Sequence, residues 1–227
     1  MRETKRARDE GYTIIELMVS LAVFSVLAII SATAMLTIFS GIRQVAQQST
    51  ELAQAQNTAE WVARLVRYAH TPTGISDSIV RAGTDSIVLY SYSGTGTRSD
   101  VPYKIRVFTM EQEDGSRDVI SDVAPGTLVN GEWEWAGDWV GTTTPTGAFR
   151  RFLLTTPAEA DAPMTLEVWA CQTDGDCNAS MRNVTPLTPG PLLLEEGEIA
   201  QYVNIVLGKT TDPLNSVRQQ VRLANLV

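Results

Sequence analysis

Twenty-three consecutive residues, Leu17–Phe39, carry no formal charge. As a helix the run is about 34 Å long, enough to cross a hydrocarbon core of about 30 Å. It is apolar on every side, which a core helix of a soluble protein of 227 residues is not expected to be. The run therefore reads as a membrane span or as a segment that a peptidase removes.

The helical pattern continues past the span. Ile38, Ile42, Val45, Ser49, Leu52, Ala55, Ala59, Val62 and Val66 recur at steps of three and four, one stripe of an amphipathic helix. No proline occurs between Tyr12 and Tyr68, and Gly41 is the sole glycine there. Pro72 disfavours helical geometry at Thr71, so the helix is expected to end before it. A continuous rod over 12–68 measures roughly 85 Å, all apolar in its first half and amphipathic in its second.

Charge orients this rod. Among the first eleven residues Arg2, Lys5, Arg6 and Arg8 stand against Glu3, Asp9 and Glu10, a net +1, so the total of −8 leaves −9 for the rest. A basic flank before an apolar span stays on the cytoplasmic side. The acidic remainder then lies outside, and with a pI near 4.7 it does not suit a nucleic-acid surface.

Gly11-Tyr12-Thr13-Ile14-Ile15-Glu16-Leu17-Met18-Val19 joins the polar tip to the span. This stretch resembles the prepilin signal of type IV pilins, pseudopilins and competence pilins. The resemblance covers residues 1 to about 68. It implies removal of a leader, residues 1–11, by a prepilin peptidase cutting after Gly11, with Tyr12 as the N-methylated new terminus. It implies that Glu16, fifth from Tyr12, meets the terminal amine of a neighbouring subunit and sets register. Tyr12 stands where phenylalanine is commoner, and Asp9 and Glu10 place acid beside the cut. The physics of Glu16 agrees independently: a carboxylate at the edge of an apolar span is costly, and Leu17–Phe39 offers it no cation. Glu16 lying at the lipid headgroups is the plain alternative. The implied partners are other pilin or pseudopilin subunits, the peptidase, and membrane lipid before assembly. The implied place is a single-pass membrane protein, leader cytoplasmic and head outside, and then a pilus or pseudopilus.

Two rivals use the same span. Ala32-Thr33-Ala34 after the apolar run Leu17–Ile30 fits an ordinary secretory signal and would release a protein starting at Met35. An uncleaved anchor is the other. Either makes the chain a secreted or membrane-tethered binding module.

Beyond Pro72 short alternating runs appear: Tyr103–Val107, Met164–Val168 and Val217–Leu223, with Ile87–Tyr92 and Tyr202–Leu207 as further candidates. Alternation at period two predicts strands with one buried face. Asp77-Ser78-Ile79-Val80 recurs as Asp85-Ser86-Ile87-Val88 and reads as two arms of a hairpin. The expected fold class is α+β, a long N-terminal helix whose amphipathic part packs on a mainly antiparallel sheet, as in pilins. The expected division is a leader at 1–11, a membrane and assembly half at 12–40, an amphipathic half at 41–70, and a β-rich head at 71–227. The head's size and its basic alternating strand near the C-terminus are similar to minor pilins and pseudopilins of the PilW and J kinds.

Within the head, Cys171 and Cys177 flank Asp174-Gly175 and are expected to bond in an oxidising compartment. Two free thiols are the alternative, and further zinc ligands at suitable spacing are lacking. Asp174, Asp176 and Asn178 begin like a calcium loop, but Ala179 and Thr185 break the pattern, so a solvated acidic turn is the better reading. Trp133, Trp135 and Trp139 read as a hairpin covering the sheet, with an exposed patch for a partner or sugar as the alternative. His70, the sole histidine, sits at a helix end, and Gly208-Lys209-Thr210 lacks the first glycine of a phosphate loop because Val203 occupies it. No catalytic constellation and no cofactor are expected.

Overall fold

The computed structural model describes residues 13–72, 74–75, 77–92, 100–113, 115, 117–135, 139, 147–155, 164–172, 177, 181–208 and 216–223. They form a helix α1 (Ile14–Arg67) and eleven strands. The chain divides into two compact units, Met1–Gln48 and Ser49–Val227.

In the first unit α1 is exposed on all sides; Phe24 and Leu36 each retain 71% of their accessible surface. The helix begins where Thr13 and Glu16 cap it, and no proline interrupts it.

In the second unit α1 turns one face inward through Thr58, Ala59, Val62, Ala63, Leu65 and Val66. The stripe read from the sequence is buried only in its last part. Ile38, Ile42 and Val45 belong to the other unit and are exposed. The helix ends at the edge of the head, with Arg64 and Arg67 in its last turn, favourably placed for the helix dipole. There the Ser91 hydroxyl donates to the Tyr68 carbonyl at 3.1 Å and the His70 amide donates to the Tyr90 carbonyl at 3.0 Å. Both satisfy backbone groups that a helix end and its exit leave open.

The strands are β1 (Ile79–Gly83), β2 (Ser86–Ser91), β3 (Tyr103–Glu111), β4 (Arg117–Pro125), β5 (Thr127–Val129), β6 (Glu132–Glu134), β7 (Arg150–Thr155), β8 (Met164–Gln172), β9 (Arg182–Asn183), β10 (Glu198–Gly208) and β11 (Ser216–Arg222). The sequence predicts a mainly antiparallel sheet; the described residues form two antiparallel sheets and a ribbon. Their orders are β1-β2-β3-β4-β7, β11-β10-β8-β9 and β5-β6, with every pair antiparallel. The repeated Asp-Ser-Ile-Val segments do lie on a hairpin, β1 and β2, closed by Thr84-Asp85. Strand β1 is not left as a bare edge: Ala82 and Gly190 exchange both backbone hydrogen bonds, at 2.9 and 3.0 Å.

One core joins the helix face to the inner faces of both sheets. It includes Val62 and Val66 of α1, Leu89, Ile105 and Val107 of the first sheet, and Leu166, Val203 and Ile205 of the second, all with no exposed surface. Fully burying such a side chain contributes about 1.5–3 kcal/mol, so this cluster is the main source of stability in the head.

The outer face of the first sheet is also covered. Asn130 and Gly131 both take positive φ, 53° and 88°, and close the β5–β6 ribbon as the Asn-Gly turn of a tight hairpin. The ribbon returns its tryptophans to the sheet. Trp135 lies 4.4 Å from Tyr90, ring centre to ring centre, and its indole N–H donates to the Pro102 carbonyl at 3.3 Å. Trp139 is 2% exposed and packs with Val88 and Ala124. Gly126 allows this approach, since a Cβ there would stand 2.9 Å from the Pro102 carbonyl oxygen and 3.0 Å from the Trp133 ring. The covering role expected of these tryptophans is the one they have.

Candidate functional site

Of the segment that the sequence singles out, the described part starts at Thr13; Gly11, Tyr12 and the leader lie outside the described residues. Thr13 and Glu16 form a reciprocal cap. The Glu16 amide donates to the Thr13 hydroxyl oxygen at 3.3 Å, and Glu16 Oε2 accepts from the Thr13 amide and hydroxyl, each at 3.2 Å. This is the capping box of a Thr-x-x-Glu start, which satisfies two donors that a helix N-terminus otherwise leaves open. The carboxylate also sits in the first turn, where the helix dipole favours negative charge. Sequence reasoning weighed a neighbour's amine and the lipid headgroups for Glu16 and missed this local partner, although Thr-Ile-Ile-Glu before an apolar run is its signature.

The run that follows is equipped for a medium without water. Its mean hydropathy reaches 2.5 over eighteen residues, and none of that stretch is buried among the described residues. Its hydroxyls turn back onto the helix: Ser25 donates to Leu21, Thr33 to Ile29 and Thr37 to Thr33, at 2.8, 2.9 and 3.0 Å. Such bonds hide polar atoms that lipid or a packed helix bundle does not satisfy.

In the head, Cys171 and Cys177 are joined as a disulfide. Asp174, Asp176 and Asn178 lie outside the described residues, as do Lys209 and Thr210. Among the described residues no cluster of three metal-ligating side chains occurs. His70 is exposed, its ring edge-on to Tyr92 at 5.3 Å.

A charged constellation in the head is absent from the sequence reading. Asp122 of β4 stands between Arg106 of β3 and Arg151 of β7 in one cross-strand row. Arg106 Nη2 approaches Asp122 Oδ2 at 2.6 Å, and Arg151 Nε approaches Oδ1 at 2.7 Å. Asp122 and Arg106 are 0% and 1% exposed, while Arg151 keeps 32%. Both guanidinium groups lie near the Phe108 ring, at 4.3 and 5.8 Å, and Arg106 lies 5.9 Å from Trp139. Hydrogen bonds to Asp122 raise the Arg151 pKa above its ordinary value, against its partial burial. The alternation of Tyr103–Val107 places Arg106 on the face opposite Ile105, which predicts solvent; instead Arg106 is buried there, beside Phe108 and Trp139. The available signal is in β4, where Val119-Ile120-Ser121-Asp122-Val123-Ala124 is largely apolar on both faces. A carboxylate inside such an apolar run calls for a buried partner.

A second pair ties β9 to β10. Arg182 Nη2 meets Glu198 Oε2 at 2.6 Å, and Oε2 also accepts from the Glu195 amide at 2.8 Å. The bonds from Arg182 and then from the Glu195 amide hold the Glu198 carboxyl below its ordinary value of 4.5. A carboxyl depressed in the folded state stabilises fully above its unfolded pKa and loses that contribution as pH falls through the folded value. Glu198→Gln is therefore expected to lower the melting temperature at pH 7, with the gap to the parent closing below about pH 4.5. Thermal melts between pH 7 and 3 measure it. A gap that does not change with pH would remove the carboxylate as its cause.

Residues 6–32 match the family described as the prokaryotic N-terminal methylation motif. No curated protein and no solved structure matches the chain. The match spans the cap, the Gly11-Tyr12 step and most of the apolar run. The chain thus carries a type IV prepilin signal at the head of a long apolar helix, joined to a head of antiparallel sheets: an α+β, pilin-like architecture.

Proposed function

We propose that this chain is a minor subunit of a type IV pilus or a related pseudopilus. Prepilin peptidase cuts after Gly11, Tyr12 becomes the N-methylated terminus, and residues 12–40 leave the membrane to pack in a filament core. Residues 41–70 continue the helix into the head at 71–227, which faces outward and sets the subunit's role. One observation carries this reading: a methylation signal opens directly into a capped, unbroken apolar helix whose most apolar stretch is unburied among the described residues. Such a helix is served by lipid first and by neighbouring copies or relatives of itself afterwards. The disulfide suits an extracytoplasmic head. A head of 157 residues favours a minor over a major subunit.

Mass spectrometry of the protein in membrane and sheared-filament fractions tests the proposal. The expected mature chain starts at methylated Tyr12, and Gly11→Leu is expected to leave the uncut chain in the membrane. A start at Met35 makes the protein secreted. A start at Met1 in the parent chain makes it a plain anchor. Either ends the filament reading.

A further inference from the structure

One triplet in the head joins a chemical signature to an exposed side chain. Asn183-Val184-Thr185 begins at the last residue of β9. Val184 is fully buried in the core, and its amide donates to the Val168 carbonyl at 2.8 Å. Thr185 is tied down by its side chain, whose oxygen accepts from the Val168 amide at 2.5 Å. Asn183 is exposed and stands opposite Trp169 of β8. Its side-chain oxygen accepts from the Thr185 amide at 2.9 Å, which closes a turn two residues on. Its NH2 group has no hydrogen-bond partner among the described residues.

That turn does not ask for an amide. Aspartate accepts the same bond equally well, and serine does so more weakly. What asparagine adds is the nitrogen, and here the nitrogen is left over. We propose that Asn183 carries an N-linked glycan. Asn-x-Thr with x other than proline is the acceptor sequence for that modification, which belongs on the surface of a protein outside the cytoplasm. The disulfide of the head suits the same compartment. The inference rests on the extracytoplasmic head proposed above, but not on filament assembly.

The co-reactant is an oligosaccharide carried on a lipid diphosphate. Asn183 Nδ2 forms a bond to the anomeric carbon, and the bond from that carbon to the diphosphate oxygen breaks. The lipid diphosphate departs, and Nδ2 gives one proton to a base on the transferase. Val184 and Thr185 are both engaged in the folded head, so transfer precedes the docking of β9 on β8. Once attached, the first sugar stands beside Trp169. Val168 and Val184 are buried in the core, so their neighbours Trp169 and Asn183 share the other face. Directly opposite residues lie about 4.5–5.5 Å apart, and the C–H face of a sugar packs on an aromatic ring. The half-buried indole is already held, since its N–H donates to Glu167 Oε2 at 3.2 Å.

Peptide mapping by mass spectrometry tests the proposal on the full chain, purified from the membranes of the cells that make it. The peptide holding Asn183 is expected to carry an oligosaccharide on most copies, with fragmentation placing it on that residue. Asn183→Asp retains the turn and is expected to abolish the modification there. Thr185→Ala is expected to lower occupancy at least tenfold, and Thr185→Ser to stay within threefold of the parent. If Thr185→Ala does not accumulate, Asn183→Asp and Thr185→Ser decide. The proposal is overturned by a bare Asn183 in the parent, or by a sugar that survives Asn183→Asp. Full occupancy in Thr185→Ala, or a glycan confined to Asn178-Ala179-Ser180, would overturn it too. A bare Asn183 on a chain that starts at methylated Tyr12 leaves the filament reading standing. A glycan at Asn183 on a chain that starts at Met35 does the reverse.

Discussion

Asp122→Ala is expected to destabilise the head by about 3–5 kcal/mol, the largest loss from any single polar substitution in this chain. The reason is what remains rather than what is removed. Arg106 is 1% exposed, so deleting the carboxylate takes the 2.6 Å Asp122 contact away from a buried guanidinium. Domains of this size are stable by only about 5–15 kcal/mol, so the variant stands close to the folding threshold. Arg151→Ala is expected to cost clearly less. Arg151 is 32% exposed, and its loss leaves the 2.6 Å Arg106–Asp122 pair intact. Urea unfolding of the full chain in detergent, followed by tryptophan fluorescence, orders the two. Trp139 reports locally, because it packs over Arg106 at 5.9 Å. Equal losses, or a loss below about 1 kcal/mol for Asp122→Ala, would mean that water reaches the row.

The contrast between this row and the rest of the head shows what alternation can and cannot reveal. Periodicity fixes which residues share a face. Ile105 and Val107 do share one, and Lys104 and Arg106 the other. It does not fix what lies over a face. Polar residues at alternate positions predict solvent only if nothing returns to cover them, and here Trp139 and Phe149 from later in the chain stand beside the row. The Asn130-Gly131 turn and the three tryptophans were legible as a hairpin over a sheet, but not as the lid of a charged row. Strands β4 and β7 escaped notice for a related reason. Their apolar residues lie on both faces, so neither run alternates in the manner of a strand with one wet side. The second sheet was easier in part, because β8, β10 and β11 keep one solvent face and alternate accordingly. The helix was the most legible element of all. Its continuity follows from composition alone, and its end is set by Pro72 and the return of Ser91 to Tyr68. What composition could not give was the point at which the stripe becomes buried, because that depends on where sheets formed from distant strands meet the helix.

Glu16 is the residue at which the local and the intermolecular readings part, and three substitutions separate them. In the isolated chain its carboxylate accepts two bonds from Thr13, a cap worth about 1 kcal/mol. In the proposed filament the same carboxylate faces the positive terminus that cleavage creates on a neighbouring subunit. Glutamine retains the capping box but removes the charge. Glu16→Gln is therefore expected to process normally after Gly11, to remain in the membrane, and to fall at least tenfold in the sheared-filament fraction. Glu16→Ala is expected to fall as far or further. Thr13→Ala, which breaks the cap and leaves the charge, is expected to cost no more than two- to threefold, because an apolar helix of this length in lipid does not depend on one terminal bond for its existence. Immunoblots of membrane and filament fractions measure all three. If Glu16→Gln assembles like the parent and Thr13→Ala does not, the carboxylate is a cap alone. Subunit register must then come from the apolar faces of the span, where small and large side chains alternate without a charge to align them.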